Sequence, residues 1–208
     1  MIKRSNLNIS VVLEISSQMF FYSDFAKNSR FHWDFIANIK NLEEWNCLAK
    51  QFDESDFLNS QIKVNLNYQI PKIIHQIWLG PKKLPKKYKV WMDSWKDFNP
   101  LWEYKLWTDE DIEKIGLINN DIFCKAKNPG TRSDILRLEI LNKFGGLYAD
   151  TDFECLQKIP ENLLDKSFVC SVVFNDKPEL NNAIIMSKPN DLLIKKLISS
   201  LEIPINEN

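Results

Sequence analysis

Two aspartates, Asp150 and Asp152, stand one residue apart in the stretch GGLYADTDFE that begins at Gly145. Side chains alternate along an extended backbone, so residues two apart project from one face. Two carboxylates held that close repel unless a cation or a shared proton relieves them. A hard divalent cation, Mg²⁺ or Mn²⁺, suits such a pair, because it takes oxygen ligands and completes its shell with phosphate oxygens and water. An isolated Asp-x-Asp is weak as a signal, since short acidic turns are more often solvated than ligating.

A second set of charges lies just upstream, in TRSDILRLEILNKFGG. At helical spacing Leu136, Leu138, Ile140, Leu141 and Phe144 sweep out a broad apolar arc, and Asp134 and Arg137 fall inside it. A buried ion pair is the plain explanation. Because this segment leads directly into Asp150, a cleft lined by Asp134, Arg137, Asp150 and Asp152 explains all four at once. Trp78 closes an apolar run before Gly80-Pro81, where an indole offers a flat face for a base to stack on. His75, in the same run, has no ligand partner spaced near it and reads as a core histidine. The lysines of KKLPKKYK, from residue 82 to residue 89, read first as a solvated loop.

The elements that would position these residues follow from the hydrophobic pattern. Strands are predicted at 73–79 and 102–107, with a helix between them that opens at Pro85 and stops near Asn99-Pro100. Short helices follow around Asp111 and Asp121, then a strong one over 133–144 stopped by Gly145. Further strands are predicted at 147–150, 168–174 and 183–186, and a last helix at 191–201. Strands alternating with helices specify an α/β sandwich with a mostly parallel sheet. Ligands gather at the carboxyl ends of strands in such sheets, and that is where the aspartates fall. Residues 1–68 contain neither Gly nor Pro and show helical spacing over 31–52, so they read as a helical extension ahead of the domain at 69–208.

Composition narrows the function. The chain has 208 residues, 44% hydrophobic and 26% charged, enough for one domain with a core. Its 27 basic and 28 acidic side chains leave a net charge of −1, which argues against a protein built to grip nucleic acid. Cys47, Cys124, Cys155 and Cys170 lack metal-ligand spacing and read as reduced, buried thiols of a cytoplasmic protein, either free or peripheral to a membrane. The apolar stretch over 9–22 is too polar to span a bilayer and lacks a signal-peptide cleavage site.

The segments IPKIIHQIWLG, NPLWEYKLWTDED and RSDILRLEILNKFGGLYADTDFECLQKIP together resemble the glycosyltransferases that carry the Asp-x-Asp sugar-binding region. These are glycosyltransferase family 32 and its relatives, including fungal mannosyltransferases and the glucosyltransferase domains of clostridial toxins. The resemblance implies a GT-A fold, Rossmann-like with flanking helices, and transfer of a hexose from a nucleotide sugar with retention. A UDP-hexose is favoured over GDP-mannose on family breadth; the acceptor could be a glycan, a lipid or a protein. On the same resemblance Trp78 stacks on the base and Tyr148 lines the nucleotide pocket. Asp134 and Arg137 hold the donor sugar, with Ser133 and Asn182 nearby. Asp150 contacts ribose or sugar hydroxyls, and with Asp152 holds Mn²⁺ or Mg²⁺. Family members usually continue further than this chain, so the domain is expected to be short at its C-terminus. A nucleotide-sugar binder without turnover is the alternative. A phosphatase of the haloacid dehalogenase type is disfavoured, because Glu154 stands where such enzymes carry Thr or Val.

Overall fold

The computed structural model describes residues 69–174 and 178–202. The helical reading of residues 1–68 lies outside the described residues. Strand β1 (Ile73–Ile77) is followed by helix α1 (Lys86–Phe98) and strand β2 (Glu103–Trp107). Short helices α2 (Ile112–Ile115) and α3 (Asn120–Lys125) lead to the long helix α4 (Pro129–Phe144). Strand β3 (Gly146–Ala149), strands β4 (Phe168–Phe174) and β5 (Pro178–Ser187), and helix α5 (Leu192–Ser199) complete the order.

The sheet runs β2-β1-β3-β5-β4. β1 pairs in parallel with β2 and β3, while β5 is antiparallel to both β3 and β4. The α/β architecture is as expected: β1, β2, β3 and β4 run the same way, and β5 alone, running against them, makes the sheet mixed. Parallel pairing requires a crossover helix, and only β1, β2 and β3 are joined through helices; β4 and β5 follow one another directly.

β3 has only four residues, all buried, because it is central and covered on both faces. Leu147 and Ala149 join one core cluster with Ile74, Trp95, Phe153 and Met186. Tyr148 points to the other, with Trp107, Leu136, Ile140, Ile185 and Ile194. So α1 and the segment after β3 cover one face, and α3, α4 and α5 cover the other. Trp95 is completely buried and its indole N–H donates to Phe153 O at 3.1 Å, tying α1 to the chain just past Asp152.

α4 starts earlier than the periodicity suggests, at Pro129, with Asn128 accepting from Gly130 N at 2.7 Å as its cap. Every residue from Ile135 to Asn142 is buried. Gly145 ends the helix with φ 63°, and Gly146 follows at φ 96°. A Cβ on Gly146 would lie 2.5 Å from Ile73 O, so both the backbone angle and the approach of β1 require glycine there. Pro85 caps α1 one residue outside it, with extended backbone. Of the described cysteines, Cys155 is buried as expected but Cys124 is exposed. No helix among the described residues is long and apolar enough to cross a membrane.

Candidate functional site

The site forms where β3 ends. Asp150 N donates to Ala183 O at 2.9 Å, the last link to β5, and the chain then turns, with Phe153 N donating to Asp150 O at 3.2 Å. Asp150 and Asp152 therefore sit on a turn, and strand alternation does not set their directions. A side chain that the sequence reading passed over holds the corner. Gln76, fully buried on β1, donates from Nε2 to Asp150 O at 3.1 Å and accepts the Tyr104 hydroxyl at 2.7 Å. The signal was present: a buried polar residue in an apolar strand must be hydrogen-bonded to something specific.

Arg137 is the hub. Its side chain is 6% exposed, and its Nη2 lies 2.7 Å from Asp134 Oδ1 and 3.4 Å from Asp150 Oδ1. Nη1 donates to Asn182 O at 2.5 Å and Nε to Ser133 O at 3.4 Å. The guanidinium carbon stands 4.6 Å from the centre of the Tyr148 ring. A planar fork with five donors satisfies this many acceptors where an ammonium could not. Asp134 is half exposed, and its Oδ1 also accepts from Asn182 Nδ2 at 3.0 Å. The pair thus reaches solvent through Asp134, while Arg137 stays buried behind it.

Tyr148 is buried, and its hydroxyl donates to Asp150 Oδ1 at 2.6 Å. Burial first, then the Asp150 charge, pushes the phenol pKa well above its ordinary value, so it remains a donor. Burial likewise raises the Asp150 carboxyl, against the opposing pull of Arg137 and the Tyr148 hydrogen bond; Asp152 and Asp134 add to the rise. The structure therefore brings together Ser133, Asp134, Arg137, Tyr148, Asp150 and Asn182 by direct contact, with Asp152 close enough to act on Asp150 by its charge. Trp78 stands apart from this cluster. It follows β1, donates from Nε1 to Lys82 O at 2.7 Å and meets the Tyr88 ring edge-on at 5.8 Å.

Other charged side chains of the region are structural. Glu139 is buried on α4 and accepts from Ile118 N and Asn119 N at 3.0 and 2.8 Å. Asp109 holds Gly80 N at 2.7 Å and Arg132 at 3.1 Å, fixing the loop after β1. His75 is a satisfied core histidine: its Nε2 meets Gly145 O at 2.9 Å and its Nδ1 accepts from Trp107 Nε1 at 3.1 Å.

A divalent ion finds a partial donor set. Asp152 is half-buried and forms no hydrogen bond or ion pair among the described residues, and Asp150 commits Oδ1 to Tyr148 and Arg137. No group of three or more ligating side chains occurs among the described residues. Two carboxylates of hard oxygen fit Mg²⁺ or Mn²⁺ only if a ligand's oxygens complete the shell.

The fold is of the GT-A type. The solved glycosyltransferase PaToxG shares the fold, with a TM-score of 0.52 over 78% of this chain and 70% of that one, at 19% sequence identity. Residues 85–169 match the family described as the glycosyltransferase sugar-binding region containing the DXD motif. Inositol phosphoceramide mannosyltransferase 3 of Schizosaccharomyces pombe is 36% identical over 104 residues, which are 48% of this chain and 29% of that protein. A mannosyl phosphorylinositol ceramide synthase of Saccharomyces cerevisiae is 31% identical over 137 residues, 64% of this chain and 35% of that protein. The chain thus spans roughly a third of the length of these relatives.

Proposed function

We propose that this chain transfers a hexose from a nucleotide sugar to an acceptor hydroxyl with retention of configuration. The observation that carries the reading is the Arg137 hub, which gathers Asp134, Asp150 and Asn182 at the carboxyl end of β3. In the transfer, the bond from the sugar's anomeric carbon to the diphosphate breaks and its electron pair leaves on the phosphate oxygen. The acceptor oxygen attacks from the same face, and its proton passes to the departing phosphate. Arg137 supplies a fixed positive charge beside the sugar site, and Asp134 and Asn182 offer acceptors and a donor for sugar hydroxyls. Asp150, held by Tyr148 and Gln76, presents its second oxygen to ribose or sugar. Asp152 with Asp150 would hold Mn²⁺ or Mg²⁺, whose role is to offset the charge growing on the diphosphate. Trp78 remains the candidate for stacking on the base.

Mannose now stands ahead of the UDP-hexose expected from family breadth, because the two fungal relatives are named for mannosyl transfer. Their names also put an inositol phosphoceramide lipid first among the acceptors to try. Calorimetric titration of GDP-mannose and UDP-glucose, each with and without Mn²⁺, tests the reading. Metal and nucleotide should reinforce each other equally in both directions. Asp152→Asn keeps the shape, removes the charge, and should abolish that reinforcement. Equal nucleotide affinity with and without metal in the unmutated protein refutes the metal role. Failure of any GDP or UDP compound to bind at millimolar concentration refutes the function.

A further inference from the structure

One charged feature plays no part in the site described above. The loop after β1 and the first turn of α1 carry Lys82, Lys83, Lys86, Lys87 and Lys89, all exposed. Among the described residues none of the five forms an ion pair. Asp93 pairs with Lys96 at 2.5 Å while also feeling the Lys89 charge, and Asp109 pairs with Arg132. Asp97 lies about two turns beyond Lys89. The concentration of charge is local, since the whole chain is at −1.

Its placement also works against helix stability. α1 has no acidic residue in its first turn and no side-chain cap, while three lysines crowd its positive end. Val90, 64% exposed, lies between Lys86 and Lys87 on the helix surface. Tyr88 stacks on Trp91 at 5.2 Å and meets Trp78 edge-on, with Lys87 above the Tyr88 and Trp91 rings. The Trp78 indole anchors the loop through Lys82 O, two residues past the Gln76 that holds Asp150. The basic surface therefore continues from the carboxyl end of β1, the strand whose Gln76 holds Asp150.

We propose that Lys82, Lys83, Lys86, Lys87 and Lys89 form a docking surface for an anionic lipid bilayer, holding the cleft of Arg137 and Asp150 against the headgroups. Long lysine stems over aromatic rings, with a protruding valine, match a surface that is anionic at headgroup depth and apolar beneath. Docking does not depend on sugar transfer, and its test uses neither donor nor acceptor.

Sedimentation with phosphatidylcholine vesicles, with and without about 30 mol% phosphatidylserine, reads the interaction directly at two salt concentrations. Each lysine near the surface is worth about a fivefold change in partitioning. The triple variant Lys83→Gln, Lys86→Gln, Lys89→Gln should lose about a hundredfold in binding to anionic vesicles and keep its thermal midpoint. Binding of the unmutated protein should fall steeply as salt rises. Equal binding to neutral vesicles, no binding to either, or an unaffected triple variant overturns the proposal. So does equally tight, equally lysine-dependent binding of a short DNA duplex, which would mark a surface for any polyanion.

Discussion

His75 offers a quantitative check on the packing that delivers β3 to the site. Its tautomer follows from its partners. Trp107 Nε1–H can only donate, so Nδ1 accepts, and the ring proton sits on Nε2 and donates to Gly145 O. Both nitrogens are satisfied by the neutral ring, and a second proton would face the indole N–H. Burial, aided by the nearby Lys105 charge and opposed by the Gly145 bond, lowers the pKa from 6.5 to about 4. A lowered histidine pKa means that the unfolded chain binds the proton first. The stability due to the neutral ring is complete above pH 6.5 and is lost as pH falls from there toward 4. At about 1.4 kcal/mol per unit the full loss is roughly 3 kcal/mol, of which about 2 kcal/mol has gone by pH 5.

Urea unfolding of the protein and of His75→Asn at pH 7.5 and pH 5 isolates this contribution, because every other group titrates in both. The variant starts less stable, having lost a fitted ring, but the gap should narrow by about 2 kcal/mol at the lower pH. If the variant does not fold, the imidazole resonances of the unmutated protein give the same answer, remaining those of a neutral ring at pH 5. An unchanged gap, or titration of His75 near its ordinary value, refutes the account of this core.

Arg137→Met should cost about 2–4 kcal/mol in urea unfolding, because it strands the carbonyl of Asn182 and the half-buried Asp150. The half-exposed partner Asp134 contributes little of this; a loss below about 1 kcal/mol would mean that the hub is not structural. Asp150→Asn should raise the thermal midpoint at neutral pH while weakening donor binding. The raised carboxyl pKa costs stability once the folded group ionises, and that cost vanishes below the unfolded value. The variant's advantage should therefore close as pH falls toward about 4, and a lower midpoint at neutral pH sinks the argument.

The sequence made most elements legible because their signals were local. Apolar runs, the glycine after Phe144 and the Asn-Pro stop after α1 all act within a few residues. Sheet order was harder, since the reversal of β5 depends on a connection and not on a period. The apolar arc on α4 proved a poor discriminator. That helix is buried all round from Ile135 to Asn142, so Arg137 and Glu139 both sit among apolar residues with opposite roles. Arg137 gathers Asp134 and Asp150, whereas Glu139 ties down the backbone at Ile118 and Asn119. Distinguishing them needed their distant partners, Asp150 and Asn182 for Arg137 and the backbone at Ile118 and Asn119 for Glu139.

The same reasoning explains why β1 carries two polar residues in an otherwise apolar strand. His75 and Gln76 project to opposite faces of the sheet, as neighbours on a strand must. His75 reaches Gly145 O, immediately before β3, and Gln76 reaches Asp150 O, immediately after it. β1 and β3 are otherwise in register at only two residue pairs. β5 pairs with all four residues of β3 on its other side, and on the β1 side a buried side-chain bond at each end extends the short ladder. The carboxylates thus owe their position to both neighbours of β3: β5 through Ala183 O and β1 through Gln76. In β1 the apolar residues supply the burial, and the two polar exceptions specify where the site must be.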